Sequence, residues 1–234
     1  MKTQYTYLFI LMGSFLFPFI IGFDKRLKYN KNWKELFKAF SIIATFFVSW
    51  DILFTYFNVW GFNEKYVIGL HLFNLPIEEV LFFYIIPFCC LLIYKSLQNG
   101  FTLNFPTTAI SYVLGTLSAI IALLFYNRIY TCSALGIAAL LLFFIARKKY
   151  AFLPYFYIMF LISLIPFLIV NGLLTGTYLD EPIVWYNNMH NSSYRLLTIP
   201  YEDIFYGFDL LLLNVIVFEK FQQKSIETSS KPIA

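Results

Sequence analysis

Leu75-Pro-Ile-Glu-Glu-Val-Leu-Phe-Phe83 and Ile199-Pro-Tyr-Glu-Asp-Ile-Phe-Tyr-Gly-Phe208 are two copies of one pattern, Pro-x-Glu-acid followed by apolar and aromatic residues. Proline suits the first turn of a helix, because the N–H that it lacks would have no partner there. The pattern therefore predicts that a helix begins at each stretch, with two acidic side chains in its first turn.

A second matched element precedes each copy. Asp51-x-x-x-Thr55 lies before the first copy and Asn171-x-x-x-Thr175 before the second, at nearly the same spacing. Two such matches in the same order indicate an internal repeat. Asn171, Thr55 and Thr175 are candidates either for substrate contacts or for hydrogen bonds between helices.

The composition places the repeat in a bilayer. Hydrophobic residues make up 60% of the 234 residues and charged residues only 13%, against about 25% charged in a soluble globular chain. So few charges cannot cover a soluble surface, which argues against a soluble enzyme, a disordered chain and a nucleic-acid binder. Aromatic residues reach 22%, more than insertion into a bilayer requires.

Seven stretches are apolar over about 20 residues, the length that crosses a bilayer. A duplicated unit of three helices would invert in the membrane, and one additional helix restores the parallel orientation. The predicted fold is all-α: a polytopic membrane protein of about seven transmembrane helices, with two parallel three-helix repeats joined by one linking helix. The predicted spans are residues 5–23, 36–57, 77–95, 107–126, 129–146, 152–174 and 201–219.

The repeats divide the chain as follows. Residues 1–98 form the first repeat, 99–128 the linking helix, 129–221 the second repeat and 222–234 a polar cytoplasmic tail. With this topology, four basic residues lie on the side of the N-terminus and thirteen on the other. Cytoplasmic loops collect Lys and Arg, so we expect an integral protein of the cell membrane with its N-terminus outside and its C-terminus cytoplasmic.

Acidic residues at membrane depth are candidates for function, because a charge there costs several kcal/mol by most measures. Alternatively, such acids cap helices or face water between headgroups. Apolar surroundings favour the protonated acid, which can donate a proton to a weak base. The candidate acids are Asp51, Glu78, Glu79, Glu202, Asp203 and Asp209, and the aromatic residues expected to line a pocket beside them are Phe82, Phe83, Phe205, Tyr206 and Phe208.

His71 and Arg195 occupy the same position of the repeat, five residues before the proline. They are candidates for pairing with the acids or with lipid headgroups. Trp60, Trp185 and Tyr186 lie in the loops between the matched elements, where we expect them to belong to the aromatic belt at the membrane surface.

The sequence contains no G-x-G-x-x-G, Walker or H-E-x-x-H motif and no spaced aspartates that would hold magnesium and a diphosphate. These motifs carry flavin, nicotinamide, nucleotide and zinc chemistry. We therefore expect no cofactor and no metal.

The doubled Pro-x-Glu-acid segments resemble the two signature segments of the membrane-integral, non-flavin lycopene cyclases. In that family the two halves are separate small subunits or are fused, as they are here. The resemblance covers roughly residues 36–220. Four flanking segments also resemble sequences of this family: residues 51–55, 171–176, 184–187 and 212–215.

The resemblance implies an intramolecular lyase, an isomerase that converts the acyclic ends of lycopene to β-ionone rings, giving γ-carotene or β-carotene without net redox change. Related members act on C50 carotenoids or make ε- or γ-rings. The implied partners are lycopene and membrane lipid, and association with other carotenoid enzymes stays open. The family's acidic pairs correspond to Glu78 and Glu79 in the first half and to Glu202 and Asp203 in the second, whereas Asp209 matches no family position.

The chemistry of the residues agrees with this reaction. Protonation of a carbon–carbon double bond needs a desolvated acid, and aromatic faces stabilise the resulting cation. The alternatives are a transporter or proton-conducting protein, which also uses intramembrane acids in repeats, and a prenyltransferase-like enzyme. Whether the two motifs build one site or two, and which carboxyl is acid and which is base, both stay open.

Overall fold

Within residues 3–229 seven long helices form, where the sequence predicts seven spans. The computed structural model describes residues 3–229. Six of its helices are long and apolar enough to cross a membrane, and the seventh carries more charged residues. The all-α polytopic fold is confirmed. The helices are α1 (Thr6–Ile21), α2 (Trp33–Tyr56), α3 (Ile77–Gly100), α4 (Thr107–Leu124), α5 (Ile129–Lys148), α6 (Leu153–Leu174) and α7 (Glu202–Ser229).

Large apolar side chains cover the outside of the bundle. Phe17 of α1, Leu123 of α4 and Leu140 of α5 are each at least 70% exposed. A soluble monomer does not expose apolar patches of this extent, whereas lipid chains surround them without cost. The helices therefore present a surface suited to the bilayer that the composition predicts.

The two repeats pack in the same way. In the first repeat α1 packs against α3, and in the second α5 packs against α7. The middle helix of each repeat crosses to the other one, α2 against α7 and α6 against α3. The linking helix α4 packs along α5. The crossing helices interlock the repeats, and the N-termini of α3 and α7 consequently face each other across the bundle.

In the described part of the chain six short strands cover one end of the bundle, which we call the strand-bearing end. β1 (Trp60–Phe62) pairs antiparallel with β4 (Val184–Tyr186) and links the repeats. The other four form one hairpin before each acidic motif, β2 (His71–Leu72) with β3 (Leu75–Pro76), and β5 (Arg195–Leu196) with β6 (Ile199–Pro200).

The two hairpins share an unusual backbone. Phe73 and Leu197, at equivalent positions of their turns, have φ of 58° and 57°. A bulky residue rarely adopts a positive φ, so the surrounding contacts must hold it there. Asn74 donates a hydrogen bond to the carbonyl of Ile52, and Thr198 shares one with Thr175. Each hairpin is thus fixed to the end of the crossing helix of its own repeat.

The last helix is longer than the predicted span. α7 continues to Ser229, whereas the sequence suggests a separate tail from residue 222. Residues 230–234, which belong to that predicted tail, lie outside the described residues, as does Lys2. The division into units at residues 98, 128 and 221 stays a prediction.

Candidate functional site

A cavity of about 860 Å³ lies beneath the β1–β4 pair, with walls from α1, α2, α3, α5, α6 and α7. It extends along α1 from Tyr7 to Ile21, about 21 Å at the helical rise of 1.5 Å per residue. Most of the wall is apolar. Exposed side chains of α1 and α6, such as Phe17 and Ile169, lie in it, so the cavity opens sideways between these two helices.

The polar groups of the cavity gather at its strand-bearing end. Asp51 of α2, Glu79 of α3, Asn171 of α6 and Asp203 of α7 all line it. The three acids are at most 9% exposed. Both acidic motifs therefore contribute one carboxyl group to the same space.

Glu79 and Asp51 form the first cluster. The hydroxyl of Tyr7 donates to Oε2 of Glu79 at 2.5 Å, and that of Tyr206 donates to Oδ1 of Asp51 at 2.5 Å. The two carboxyl groups also lie beside each other in the cavity, close enough to interact. Two carboxyl groups buried side by side disfavour double ionisation, so the pair favours a state that keeps one proton.

Asp203 forms the second cluster, and all its partners are donors. Tyr130 donates to Oδ1 at 2.6 Å, while Asn171 and Tyr186 donate to Oδ2 at 2.7 and 2.9 Å. Burial and then the neighbouring Asp203 raise the pKa of Tyr186 well above its usual range, so its hydroxyl stays protonated and donates. Three donors on two oxygens match an ionised carboxylate.

The first acid of each motif faces away from the cavity. Oε1 of Glu78 accepts from the backbone N–H of Ile68 at 2.7 Å. Oε1 of Glu202 accepts from the N–H of Ser192 at 2.7 Å and from the hydroxyl of Thr131 at 2.5 Å. Both glutamates are fully buried and fasten the loop ten residues earlier to the start of the helix. The sequence gives no reason to distinguish the two acids of a motif, but in the structure only the second acid lines the cavity.

Aromatic rings surround the carboxyl groups. Trp60, Phe82, Tyr130, Tyr186 and Tyr206 line the cavity, and the ring of Trp60 lies 4.9 Å from that of Tyr130 and 6.1 Å from those of Tyr186 and Tyr206. Trp60 and Tyr186 are therefore part of the cavity, and the expectation that they belong to the aromatic belt is wrong.

Three predicted aromatic residues lie elsewhere. Phe83 is buried against Phe47, and Phe208 against Phe156 and Phe160, in the packed interior. Phe205 contacts the ring of Tyr201. None of the three lines the cavity, because they point to other sides of α3 and α7 than Phe82 and Tyr206 do.

The basic residues and the threonines also lie outside the cavity. His71 pairs with Glu64 at 3.2 Å. Arg195 donates to the carbonyl of Thr198 and to Asn188. Neither basic residue contacts an acid of the cavity. Thr175 bonds Thr198 and the carbonyl of Asn171, and Thr55 does not line the cavity.

Asp209 is fully buried, and its two carboxyl oxygens have no hydrogen-bond partner among residues 3–229. It does not line the cavity. The structure therefore separates it from the three acids that meet there. Its position in the repeat corresponds to Ile85, an ordinary apolar residue.

Tyr7, Tyr130 and Tyr186, which donate to Glu79 and Asp203, are not among the predicted site residues. The repeat nevertheless contains a signal for Tyr7 and Tyr130. Tyr7 lies 72 residues before its partner Glu79, and Tyr130 lies 73 residues before Asp203. Each repeat thus has a tyrosine at the start of its first helix, at almost the same distance from the second acid of its motif. This match becomes visible when the two repeats are compared over their first helices as well.

Together these groups can hold a proton, accept a proton and stabilise a cation in an apolar space. The model of the family described as lycopene cyclase matches the chain in two segments, residues 4–97 and 127–221, one for each repeat. Neither the curated proteins nor the solved structures contain a match. The family match covers well over half of the sequence, and the chain therefore belongs to the lycopene cyclase family, whose substrate is lycopene.

Proposed function

We propose that the protein is a lycopene β-cyclase, an isomerase that closes β-ionone rings at the ends of lycopene to give γ-carotene and β-carotene. The observation that carries the proposal is the convergence of Asp51, Glu79 and Asp203 in one apolar cavity. An extended polyene fits a long cavity with aromatic and aliphatic walls. The two acidic motifs then build one composite site.

The reaction begins when a carboxylic acid adds its proton to the terminal double bond of the substrate. The π electrons of the neighbouring double bond attack the cation and form the ring bond, which leaves a tertiary cation. A carboxylate then removes a ring proton, and the electrons of the broken C–H bond form the double bond of the ring. One proton enters and one leaves, so the product is an isomer of the substrate.

The surroundings of the acids favour each step. Water is largely excluded, which strengthens electrostatic interactions with the developing charge. The rings of Trp60, Tyr186 and Tyr206 present π-faces that stabilise a cation but do not readily trap it. Phe82 completes this aromatic wall.

The opening between α1 and α6 suits a substrate dissolved in lipid. A polyene can pass sideways from the bilayer to the acids without crossing water. We also propose the orientation expected from the basic residues, with the strand-bearing end outside and the C-terminus in the cytoplasm. Membrane lipid is then the second partner.

Expression in cells that accumulate lycopene, followed by pigment chromatography, tests the proposal. We expect monocyclic and bicyclic β-ring products with the wild-type protein. The Glu79→Gln/Asp203→Asn variant should leave lycopene unchanged, whereas Asp209→Asn, which neutralises a buried acid outside the cavity, should cyclise normally. Unchanged lycopene with membrane-inserted wild-type protein would contradict the proposal, and cyclised products with ε- or γ-rings would reassign the ring type.

A further inference from the structure

The two clusters of acids are not equivalent, although they occupy equivalent positions of the repeat. Asp51 in the first repeat corresponds to Asn171 in the second. An amide cannot lose or donate a proton as an acid does, so among the described residues the first repeat supplies two carboxyl groups to the cavity and the second repeat one. The sequence alone cannot connect this difference to chemistry, because it does not show which acid each residue contacts.

The contacts of each cluster favour a different protonation state. Asp51 and Glu79 lie beside each other, and each accepts a tyrosine hydroxyl. Since neighbouring buried charges of the same sign disfavour double ionisation, this pair keeps one proton. Asp203 accepts from Asn171, Tyr130 and Tyr186 and needs no proton of its own. Asn171 therefore keeps its neighbour ionised, whereas Asp51 gives its neighbour a proton to share.

From this asymmetry we infer that the Asp51–Glu79 pair donates the proton that starts cyclisation and that Asp203 accepts the proton that ends it. The inference rests on the proposed cyclase function and assigns its acid and its base. The proton leaves the carboxyl pair for the inner carbon of the terminal double bond, which leaves the cation on the outer carbon, and after ring closure the ring C–H proton passes to Asp203. Return of that proton to the pair resets the site.

The two roles predict different failures. Loss of the acid slows the first step but does not change which ring proton is later removed. Loss of the base leaves a cation that must lose a proton from another carbon, capture water, or return its added proton to the pair. The composition of the products therefore reports on the base, and the rate reports on the acid.

The test compares Asp51→Asn with Asp203→Asn in membranes that contain lycopene, incubated in deuterated buffer. Rate, ring isomers, hydroxylated products and deuterium in recovered lycopene are measured. We expect Asp51→Asn to lower the rate by about 100-fold or more, with the wild-type ring isomer and no label in recovered lycopene. Asp203→Asn should label recovered lycopene and shift products toward other ring isomers or water adducts.

Matched variants control for folding. Asp51→Glu keeps a carboxyl group and should recover part of the lost rate, while Asp209→Asn should behave as wild type in both readouts. Labelled lycopene with Asp51→Asn, or a changed ring isomer with Asp51→Asn alone, would overturn the assignment. Equal rate losses without label or product change in both variants would overturn it too. Absence of products from the wild type would instead refute the cyclase function itself.

Discussion

The two repeats share a backbone plan but differ in the side chains that reach the cavity. Both place an acid in the first turn of their last helix, and in both a tyrosine of the first helix donates a hydrogen bond to that acid. Around this common frame, Asp51 in one repeat corresponds to Asn171 in the other, and Phe82 corresponds to Tyr206. The repeated backbone thus supplies the geometry of the site, and the side chains that differ between the repeats supply two different environments for its acids.

The sharpest comparison lies within one motif. Glu79→Gln removes a carboxyl group from the cavity, so we expect cyclisation to fall by at least about 100-fold, the lower end of what a general acid contributes. Glu78→Gln keeps a carbonyl oxygen that can accept from the N–H of Ile68, so activity should stay within a few-fold of wild type. Pigment chromatography from cells with equal amounts of membrane-inserted protein measures both.

The same contrast applies to Asp203→Asn and Glu202→Gln in the second repeat. If neutralising the first acid of each motif stopped the reaction while neutralising the second did not, the orientation of α3 and α7 toward the cavity would be wrong.

A smaller effect separates the tyrosines of the two repeats. Tyr7→Phe removes the tyrosine donor of Glu79, whereas Tyr130→Phe leaves Asp203 with Asn171 and Tyr186. A hydrogen bond to a charged group contributes about 1.5 kcal/mol, about tenfold in rate. We expect about a tenfold loss of activity for Tyr7→Phe and a smaller loss for Tyr130→Phe, measured as initial rates. A larger loss at Tyr130 would show that the donors on Asp203 do not substitute for one another.

The hydrogen bonds of Glu78 and Glu202 to the preceding loops should contribute differently to the stability of the protein. Glu78→Ala leaves one backbone N–H without its acceptor, at a cost of about 1–3 kcal/mol. Glu202→Ala leaves both the N–H of Ser192 and the hydroxyl of Thr131 without theirs, so the free energy of unfolding should fall further. Thermal unfolding in detergent micelles compares the two variants, and Thr131→Val isolates the hydroxyl. Equal melting temperatures for Glu78→Ala and wild type would contradict the fastening role.

The smallest expected effects are at the basic residues of the hairpins. His71→Ala and Arg195→Ala change side chains outside the cavity, and such changes usually alter stability by less than about 0.5 kcal/mol. Cyclisation should stay within about twofold of wild type for both. A large loss with either variant would show that the hairpins position the substrate, and Lys65→Ala, another basic residue at this end of the bundle, serves as the control.

Sequence reasoning predicts the helices well because their signals are local. Hydrophobic length marks each span, and the prolines at 76 and 200 mark where the last helix of each repeat begins, within two residues of its observed start. The strand pair β1–β4 has no such signal. It joins residues more than 120 positions apart, and only the interlocking of the repeats brings them together.

The sequence by itself determines a membrane protein built from two matched three-helix units, since composition, span length and the doubled motif require no knowledge of packing. Only the tertiary structure decides which acid of each motif reaches the cavity. Adjacent residues on a helix point about 100° apart, and the rotation of α3 and α7 is set by the helices packed against them. That rotation turns Glu79 and Asp203 toward the cavity and Glu78 and Glu202 toward the loops that they fasten.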